Sequence, residues 1–330
     1  MLSYRAILRQ AWKISWKYKF LWFFGFFASL ISFTAEFKII SRSLNQNLGL
    51  KSLGEIKMFL DTGIFSQDAL SNIKELFKTE TQTMMILLLV LLLILGIMVF
   101  FAWLSTVSQV AIIDSVNKVM KGRPGVLSIK RGLKMGNKKF WPVFFMNIII
   151  SCIINIIFLL IGLMLLLVLM NNNIGTTLLY GLIFILFVPI SLFLSFIFKY
   201  AIAYIVLENK KFFNAIKQGW RLFFNNWIIS VEMSIVLFFI NIVTIILISI
   251  ISMAGLLLFA GLAFSSALFL SSGILFWTSL IIGGLFLLLV TILGGSILNV
   301  FQISSWTDLF VQLRDNKASS KLERMFRAKK

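Results

Sequence analysis

The sequence predicts an all-α integral membrane protein with six transmembrane helices, arranged as three repeats of an amphipathic helix followed by a two-span hairpin. Three observations predict this fold class: long apolar blocks without any charge, an uneven distribution of basic residues among the connecting segments, and a short motif that occurs three times. Together they predict the number of spans, the orientation of the chain and its division into units.

The apolar blocks are too long for a soluble domain. Apolar residues make up 60% of the 330 residues, whereas ordinary soluble domains contain roughly 45–50%. No charged residue occurs from Met84 to Val107, from Phe140 to Phe198, or from Met233 to Thr307. Because about 20 apolar residues cross a hydrocarbon core of ~30 Å, these blocks hold one, two and at least two spans.

Six spans follow from these blocks and from the first apolar run, which we interpret as an uncleaved anchor rather than a signal peptide. The apolar segment 253–272 is predicted to be re-entrant or to lie in the interface. A seventh span is the alternative, and it would place the basic C-terminal tail on the outer side. The six spans are predicted at about 20–35, 84–106, 142–170, 177–198, 227–252 and 273–300.

The basic residues indicate the orientation of the chain. Twenty-five of the 31 Lys and Arg residues lie before span 1, between spans 2 and 3, between spans 4 and 5, or after span 6. The other six lie between spans 1 and 2, where six acidic residues balance them. The positive-inside rule therefore predicts that both termini are cytoplasmic, in the cytoplasmic membrane of a bacterium. The net charge of +19 then reflects topology, and no nucleic-acid partner is expected.

A six-position motif recurs at Leu8 to Lys13, Ile129 to Lys134 and Ile216 to Arg221, each time before an outward-leading span. Its pattern is aliphatic, basic, polar or basic, small, bulky apolar, basic. We interpret each copy as an interfacial helix whose basic residues face anionic headgroups, with Trp12 and Trp220 of the first and third copies at the headgroup level. The residues that would make these contacts are Arg9, Trp12, Lys13, Lys130, Lys134, Lys217, Trp220 and Arg221.

The small residue of each copy, Ala11, Gly132 or Gly219, would let the interfacial helix approach a span closely. The motif also predicts the division of the chain. Residues 1–318 are predicted to form one membrane domain, followed by a basic cytoplasmic tail at 319–330. Its units cover about 1–120, 121–210 and 211–318, and an extracytoplasmic segment occupies 36–83.

An acidic residue lies at the end of each span that returns to the basic side: Asp114, Glu208 and Asp308. These carboxylates are predicted to pair with basic residues of the motif and so to hold each interfacial helix on its hairpin. Solvated carboxylates are the alternative. An exposed pair would contribute only ~0–1 kcal/mol.

Three stretches carry a resemblance to a known family. Tyr204 to Glu208, followed by Ala215 to Leu222, resembles the signature of a bacterial membrane family. That family includes the membrane domain fused to some glycerophosphodiester phosphodiesterases and many stand-alone membrane proteins. The ending Leu309 to Arg314 resembles its closing stretch, although Gln312 stands where an acid is usual. The resemblance covers about 120–318 and implies a six-helix membrane domain. It implies no reaction, because the phosphodiesterase chemistry belongs to a separate soluble domain that we do not expect here.

Residues suited to catalysis are scarce. Histidine, the usual general base and the commonest metal ligand, is absent, and the single cysteine, Cys152, lies in an apolar run. We therefore expect no enzyme activity, no cofactor and no metal.

Polar residues inside the spans are the remaining candidates, because they are costly in lipid. Glu232 is the only acid inside a predicted span. We expect it to pair with Lys199 or a basic residue of the motif; the alternatives are snorkelling to the interface and a role in transport or proton coupling. Asn241 is interpreted as an interhelical hydrogen-bonding residue, and Pro189 should kink its helix. The glycine pairs at 283–284 and 294–295 are predicted to be close-packing surfaces.

These observations favour a non-catalytic membrane protein that organises lipid or supports a membrane partner, with its basic helices against anionic headgroups. The alternative is a transporter or lipid-translocating protein with a site between the hairpins, lined by Glu232, Lys199 and Pro189.

Overall fold

The computed structural model describes residues 4–31, 81–123, 128–171, 174–269 and 273–315, and within these ranges the chain forms nine helices and no strand. Three of these helices are short and contain the motif: α1 (Tyr4–Lys17), α4 (Ile129–Lys138) and α7 (Phe212–Asn225). The others are α2 (Phe20–Ile31), α3 (Thr81–Met120), α5 (Phe140–Asn171), α6 (Ile174–Glu208), α8 (Trp227–Phe269) and α9 (Gly273–Arg314).

Five of the helices are long and apolar enough to cross a membrane: α3, α5, α6, α8 and α9. The chain is therefore an all-α, multi-pass membrane protein. These helices contain the predicted spans 2 to 6. The predicted first span begins as α2, which is apolar but has only 12 residues. The remainder of that span, nearly all of the predicted segment 36–83 and the tail 319–330 lie outside the described residues.

The segment 253–272 differs from the prediction. Helix α8 runs without a break through Met253 to Phe269, so this part is neither a re-entrant segment nor a separate span. No proline and no charged residue follows Glu232 in α8, and a continuous helix satisfies every backbone hydrogen bond where water is absent. With 43 residues, α8 is about 64 Å long at 1.5 Å per residue.

Contacts group the chain into two compact units. The first comprises Met1–Ser32, Leu104–Val143 and Ile197–Lys330, and it contains all three copies of the motif. The second comprises Phe33–Trp103 and Phe144–Phe196. In the second unit the described helices expose most of their apolar side chains, as expected for surfaces that face lipid.

Helices α3, α6 and α9 each change character along their length. Every side chain of α3 from Met85 to Phe101 is exposed, and this stretch is about 25 Å long by helical rise, close to the thickness of a hydrocarbon core. The C-terminal part of each helix is instead buried almost all round. We call residues 104–117, 197–206 and 299–313 the motif-side ends, since they lie in the unit that contains the motif.

The two motif glycines, Gly132 and Gly219, lie against these motif-side ends. A Cβ atom added to Gly219 would lie 2.7 Å from the Ile197 carbonyl oxygen and 3.0 Å from the Ala201 nitrogen, so α7 contacts the backbone of α6. A Cβ atom on Gly132 would lie 2.6 Å from the Phe24 ring and 3.2 Å from Ala111. The predicted close approach is confirmed at both glycines. The third small residue, Ala11, is completely buried.

Helices α8 and α9 pack along each other, and glycine again makes room at the contact. A Cβ atom on Gly283 would lie 2.8 Å from the Phe259 Cβ, and one on Gly294 would lie 2.6 Å from the Ile248 Cδ1. Among the described residues, no atom lies within 4 Å of the corresponding position at Gly284 or Gly295. Only one member of each predicted glycine pair therefore belongs to a packing surface.

Gly219→Ala is expected to lower the stability of the protein by about 1–3 kcal/mol, because the new methyl group meets backbone atoms that cannot rotate away. The melting midpoint of the detergent-solubilised chain, followed by size-exclusion chromatography after heating, measures the effect. Gly162→Ala is the matched control, since Gly162 lies within α5 and no atom of the described chain lies within 4 Å of the added methyl. Equal midpoints for the two variants would contradict the contact between α7 and α6.

Candidate functional site

Helix α7 presents opposite faces to the protein and to its surroundings. Ala215, Gly219 and Phe223 are buried at four-residue spacing, so one face lies against the protein. Lys217 and Arg221 are exposed on the other face. On that face the side chains of Trp220 and Phe224 are 52% and 50% exposed, and their ring centroids lie 4.7 Å apart. Two cations and two aromatic rings therefore share one exposed stripe.

Helix α1 carries an equivalent stripe. Arg9, Trp12, Lys13 and Trp16 are all exposed, at the same relative spacing as the four stripe residues of α7. The Trp12 and Trp16 ring centroids lie 5.6 Å apart. Lysine and arginine beside tryptophan on one face is the pattern that suits a membrane interface. We call these two sets of four residues the α1 stripe and the α7 stripe.

Helix α4 has the cations of the motif without the aromatic rings. Lys130 and Lys134 are exposed, and Leu133 between them packs against a buried cluster that includes Phe24. The Ser128 hydroxyl caps the helix by accepting a hydrogen bond from the Arg131 backbone N–H. Several basic side chains therefore lie close together on α4 and directly after it.

Lys139 follows α4 directly. Burial lowers the pKa of the Lys139 ammonium, and the positive charge of Lys138 lowers this pKa further. An anion at this point would relieve both effects, because it would replace lost solvation and offset the neighbouring charge.

The N-terminal helices are held on α9 by buried polar contacts. The Asn299 side chain donates a hydrogen bond of 2.9 Å to the Gly25 carbonyl oxygen, joining α9 to α2. The indole N–H of Trp22 donates to the Ser15 carbonyl oxygen over 2.8 Å, joining α2 to α1. These bonds fix the α1 stripe relative to the buried residues of α9.

The motif-side ends of α6 and α9 meet through aromatic side chains. The Tyr204 and Phe310 rings lie edge to face with centroids 4.8 Å apart. The Lys199 ammonium lies 4.5 Å from the centroid of Trp306, a cation–π geometry. On the other side, the Tyr200 hydroxyl and the Ser230 hydroxyl of α8 lie 2.7 Å apart.

The direction of this last hydrogen bond follows from a second one. Ser230 Oγ donates its single hydrogen to the Asn226 carbonyl oxygen, so it accepts from Tyr200. Tyr200 is only 1% exposed, and a hydrogen bond at that depth is an effective link between α6 and α8.

The three predicted pairing acids lie in different surroundings. Asp114 pairs with Lys118, four residues further along α3. Glu208 lies 4.0 Å from Lys210 and 3.5 Å from Arg314 of α9. Asp308 is completely buried and accepts a hydrogen bond from the Gln312 amide. Within the part of the chain that the structure describes, these side-chain contacts of the three acids involve no basic residue of the motif.

The predicted intramembrane residues are spread over the chain. Glu232 is partly buried on α8, and Asn241 further along α8 is 5% exposed. Pro189 is exposed in the second unit, and α6 is continuous through it. Lys199 contacts another helix through the ring of Trp306 on α9.

Sequence reasoning missed Gly136, Ser304 and the role of Tyr200. A Cβ atom on Gly136 would lie 2.5 Å from the Val107 carbonyl oxygen, and its four-residue spacing from Gly132 was a usable signal. Ser304 is completely buried. Serine and tyrosine carry no pattern that distinguishes buried from exposed positions in an apolar helix, so no signal pointed to the other two.

No family model matches the chain, and neither a curated protein nor a solved structure matches it.

A double-mutant cycle with Tyr200→Phe and Ser230→Ala tests the hydrogen bond between α6 and α8. Each single variant should lose about 0.5–2 kcal/mol, and the double variant should lose less than the sum, with a coupling of about 0.5–1.5 kcal/mol. Thermal or urea unfolding in one detergent, followed by tryptophan fluorescence, provides the four stabilities. Strictly additive losses would mean that the two hydroxyls do not interact.

Proposed function

We propose that the chain is a non-catalytic membrane protein that organises anionic lipid at one face of the membrane and thereby supports a membrane partner. The α7 stripe carries this proposal: Lys217, Trp220, Arg221 and Phe224 share an exposed face while the opposite face lies against the protein. Each cation near an anionic surface contributes about 1 kcal/mol of attraction. The aromatic rings add an apolar contact at the level of the headgroups.

The equivalent α1 stripe supports the same proposal. It repeats the spacing of cations and rings on a second helix far away in sequence. Lys138 and Lys139 at the end of α4 supply a third concentration of positive charge, where an anion would be favoured. Three basic surfaces within one unit suit several headgroups rather than a single ligand.

The wider arrangement belongs to the same proposal. We place six spans in a bacterial cytoplasmic membrane, as three repeats of a motif helix and a hairpin, with both termini in the cytoplasm. Twenty-five of the 31 basic residues then lie on the cytoplasmic side, where anionic lipid attracts them. The resemblance of 120–318 to the membrane domain found in some glycerophosphodiester phosphodiesterases agrees with a domain that serves a partner.

Native mass spectrometry of the protein in nanodiscs of phosphatidylglycerol and phosphatidylcholine tests the lipid preference. The unmodified protein should retain phosphatidylglycerol. The double variant Lys217→Gln, Arg221→Gln should bind it on the order of 10–30-fold more weakly, because two cations of about 1 kcal/mol each are lost.

Lys121→Gln with Arg123→Gln is the matched control. It removes the same charge from two exposed residues in the turn after α3, outside either stripe. This control should retain nearly full binding. If both double variants weakened phosphatidylglycerol binding equally, the loss of net charge alone would explain the effect. That result would contradict a defined lipid surface on α7.

Transport or lipid translocation is the second candidate function. Buried polar atoms on α3 favour it: among the described residues, the side-chain oxygens of Ser105, Ser108 and Asn117 have no hydrogen-bond partner. Such atoms suit a polar substrate path. Scrambling of a fluorescent lipid in proteoliposomes, lost in a normally folded Glu232→Gln variant, would support this function. An absence of scrambling and of solute flux would count against it.

A further inference from the structure

Three polar side chains lie on one buried face of α9. Ser304, Asp308 and Gln312 are spaced by four residues, so they lie one above another along the helix. They are 0%, 0% and 5% exposed. Each has a side-chain oxygen without a hydrogen-bond partner among the described residues: Oγ of Ser304, Oδ2 of Asp308 and Oε1 of Gln312. We call these residues the α9 oxygen row.

Asp308 is the centre of the α9 oxygen row, and its charge is uncompensated within the described part of the chain. Gln312 Nε2 donates to Asp308 Oδ1 over 2.6 Å, but that donor is neutral. Asp114 pairs with Lys118, and Glu208 pairs with Arg314. No basic side chain of the described residues forms such a pair with Asp308. A buried carboxylate without a counter-charge is strongly unfavourable.

Helix α1 packs on α9, and its buried residues there bring no counter-charge. The Trp12 ring of α1 lies 6.1 Å from the ring of Phe301, which precedes Asp308 by two helical turns and shares its face. The buried face of α1 carries Ile7, Ala11 and Ile14. The basic residues of α1 are exposed instead: Arg5, Arg9, Lys13 and Lys17.

We propose that the α9 oxygen row binds a sodium-sized monovalent cation. Carboxylate, amide and hydroxyl oxygens are the ligands that hard cations prefer. One carboxylate balances one positive charge, which suits a monovalent ion. The ligand must be small and must shed its water, because none of the three side chains is more than 5% exposed. The bound cation would stabilise the packing of α1 on α9, whatever the protein does with lipid.

Thermal unfolding of the full-length protein in detergent tests this site, in sodium chloride and in choline chloride at equal ionic strength. Sodium at 10–100 times its dissociation constant should raise the melting midpoint by about 3–10 °C over choline. Asp308→Asn should abolish this response, since it removes the charge and keeps the size of the side chain. Retention of radioactive sodium, measured by scintillation proximity, should be lost in the same variant.

Gln312→Lys is a second variant that tests the sodium site if Asp308→Asn does not fold. It supplies an ammonium four residues after the acid, as Lys118 does for Asp114, so it should remove the sodium response and raise the midpoint in choline. Ser305→Ala is the matched control: Ser305 is also completely buried on α9, but its hydroxyl donates to the Phe301 carbonyl oxygen. It should respond to sodium as the unmodified protein does.

Two outcomes would overturn the proposal. Equal midpoints of the unmodified protein in sodium and choline, with no sodium retained, would mean that Asp308 carries a proton instead of a cation. A sodium response that persists in Gln312→Lys would place the ion elsewhere. Neither outcome bears on the lipid preference of the α7 stripe. The double variant Lys217→Gln, Arg221→Gln tests that preference separately.

Discussion

The close approach of the motif helices to the long helices is the constraint on which the rest of the structure depends. Gly219 brings α7 against the backbone of α6, and Gly132 brings α4 against Ala111 and the Phe24 ring. In lipid no hydrophobic force drives helices together, so short-range dispersion contacts and interhelical hydrogen bonds hold them. Once one face of a motif helix is fixed in this way, the cations and rings of its other face have a defined direction.

The same constraint explains where the buried core lies. Along α3 the exposed stretch from Met85 to Phe101 has the length of a hydrocarbon core, and the buried residues follow it toward the C-terminus. Burial increases where the motif helices cover the long helices. Serine, asparagine, glutamine and aspartate are tolerated there because protein replaces lipid around them. The polar residues of α9 that are buried, including Asn299 and Gln302, belong to this part.

Three acidic residues at similar sequence positions have different surroundings in the structure. Asp114, Glu208 and Asp308 occupy equivalent places at the ends of three helices. Asp114 has a lysine four residues later, whereas Asp308 has a glutamine at that spacing. Within the described residues, Asp114 thus has a counter-charge and Asp308 has none, and burial makes this difference energetically important.

The fold class and most of the long helices could be predicted from the sequence, because the bilayer requires long apolar runs and leaves little choice of backbone structure. The motif likewise predicted that Gly132 and Gly219 would lie at helix contacts. Tertiary structure decided the continuity of α8 beyond Met253, since glycines and apolar residues fit either a helix or a re-entrant turn. It also decided which member of each glycine pair lies at a helix contact, that Asp308 is completely buried, and that Lys199 lies over Trp306. These outcomes depend on which faces of neighbouring helices meet, and periodicity within one helix does not contain that information.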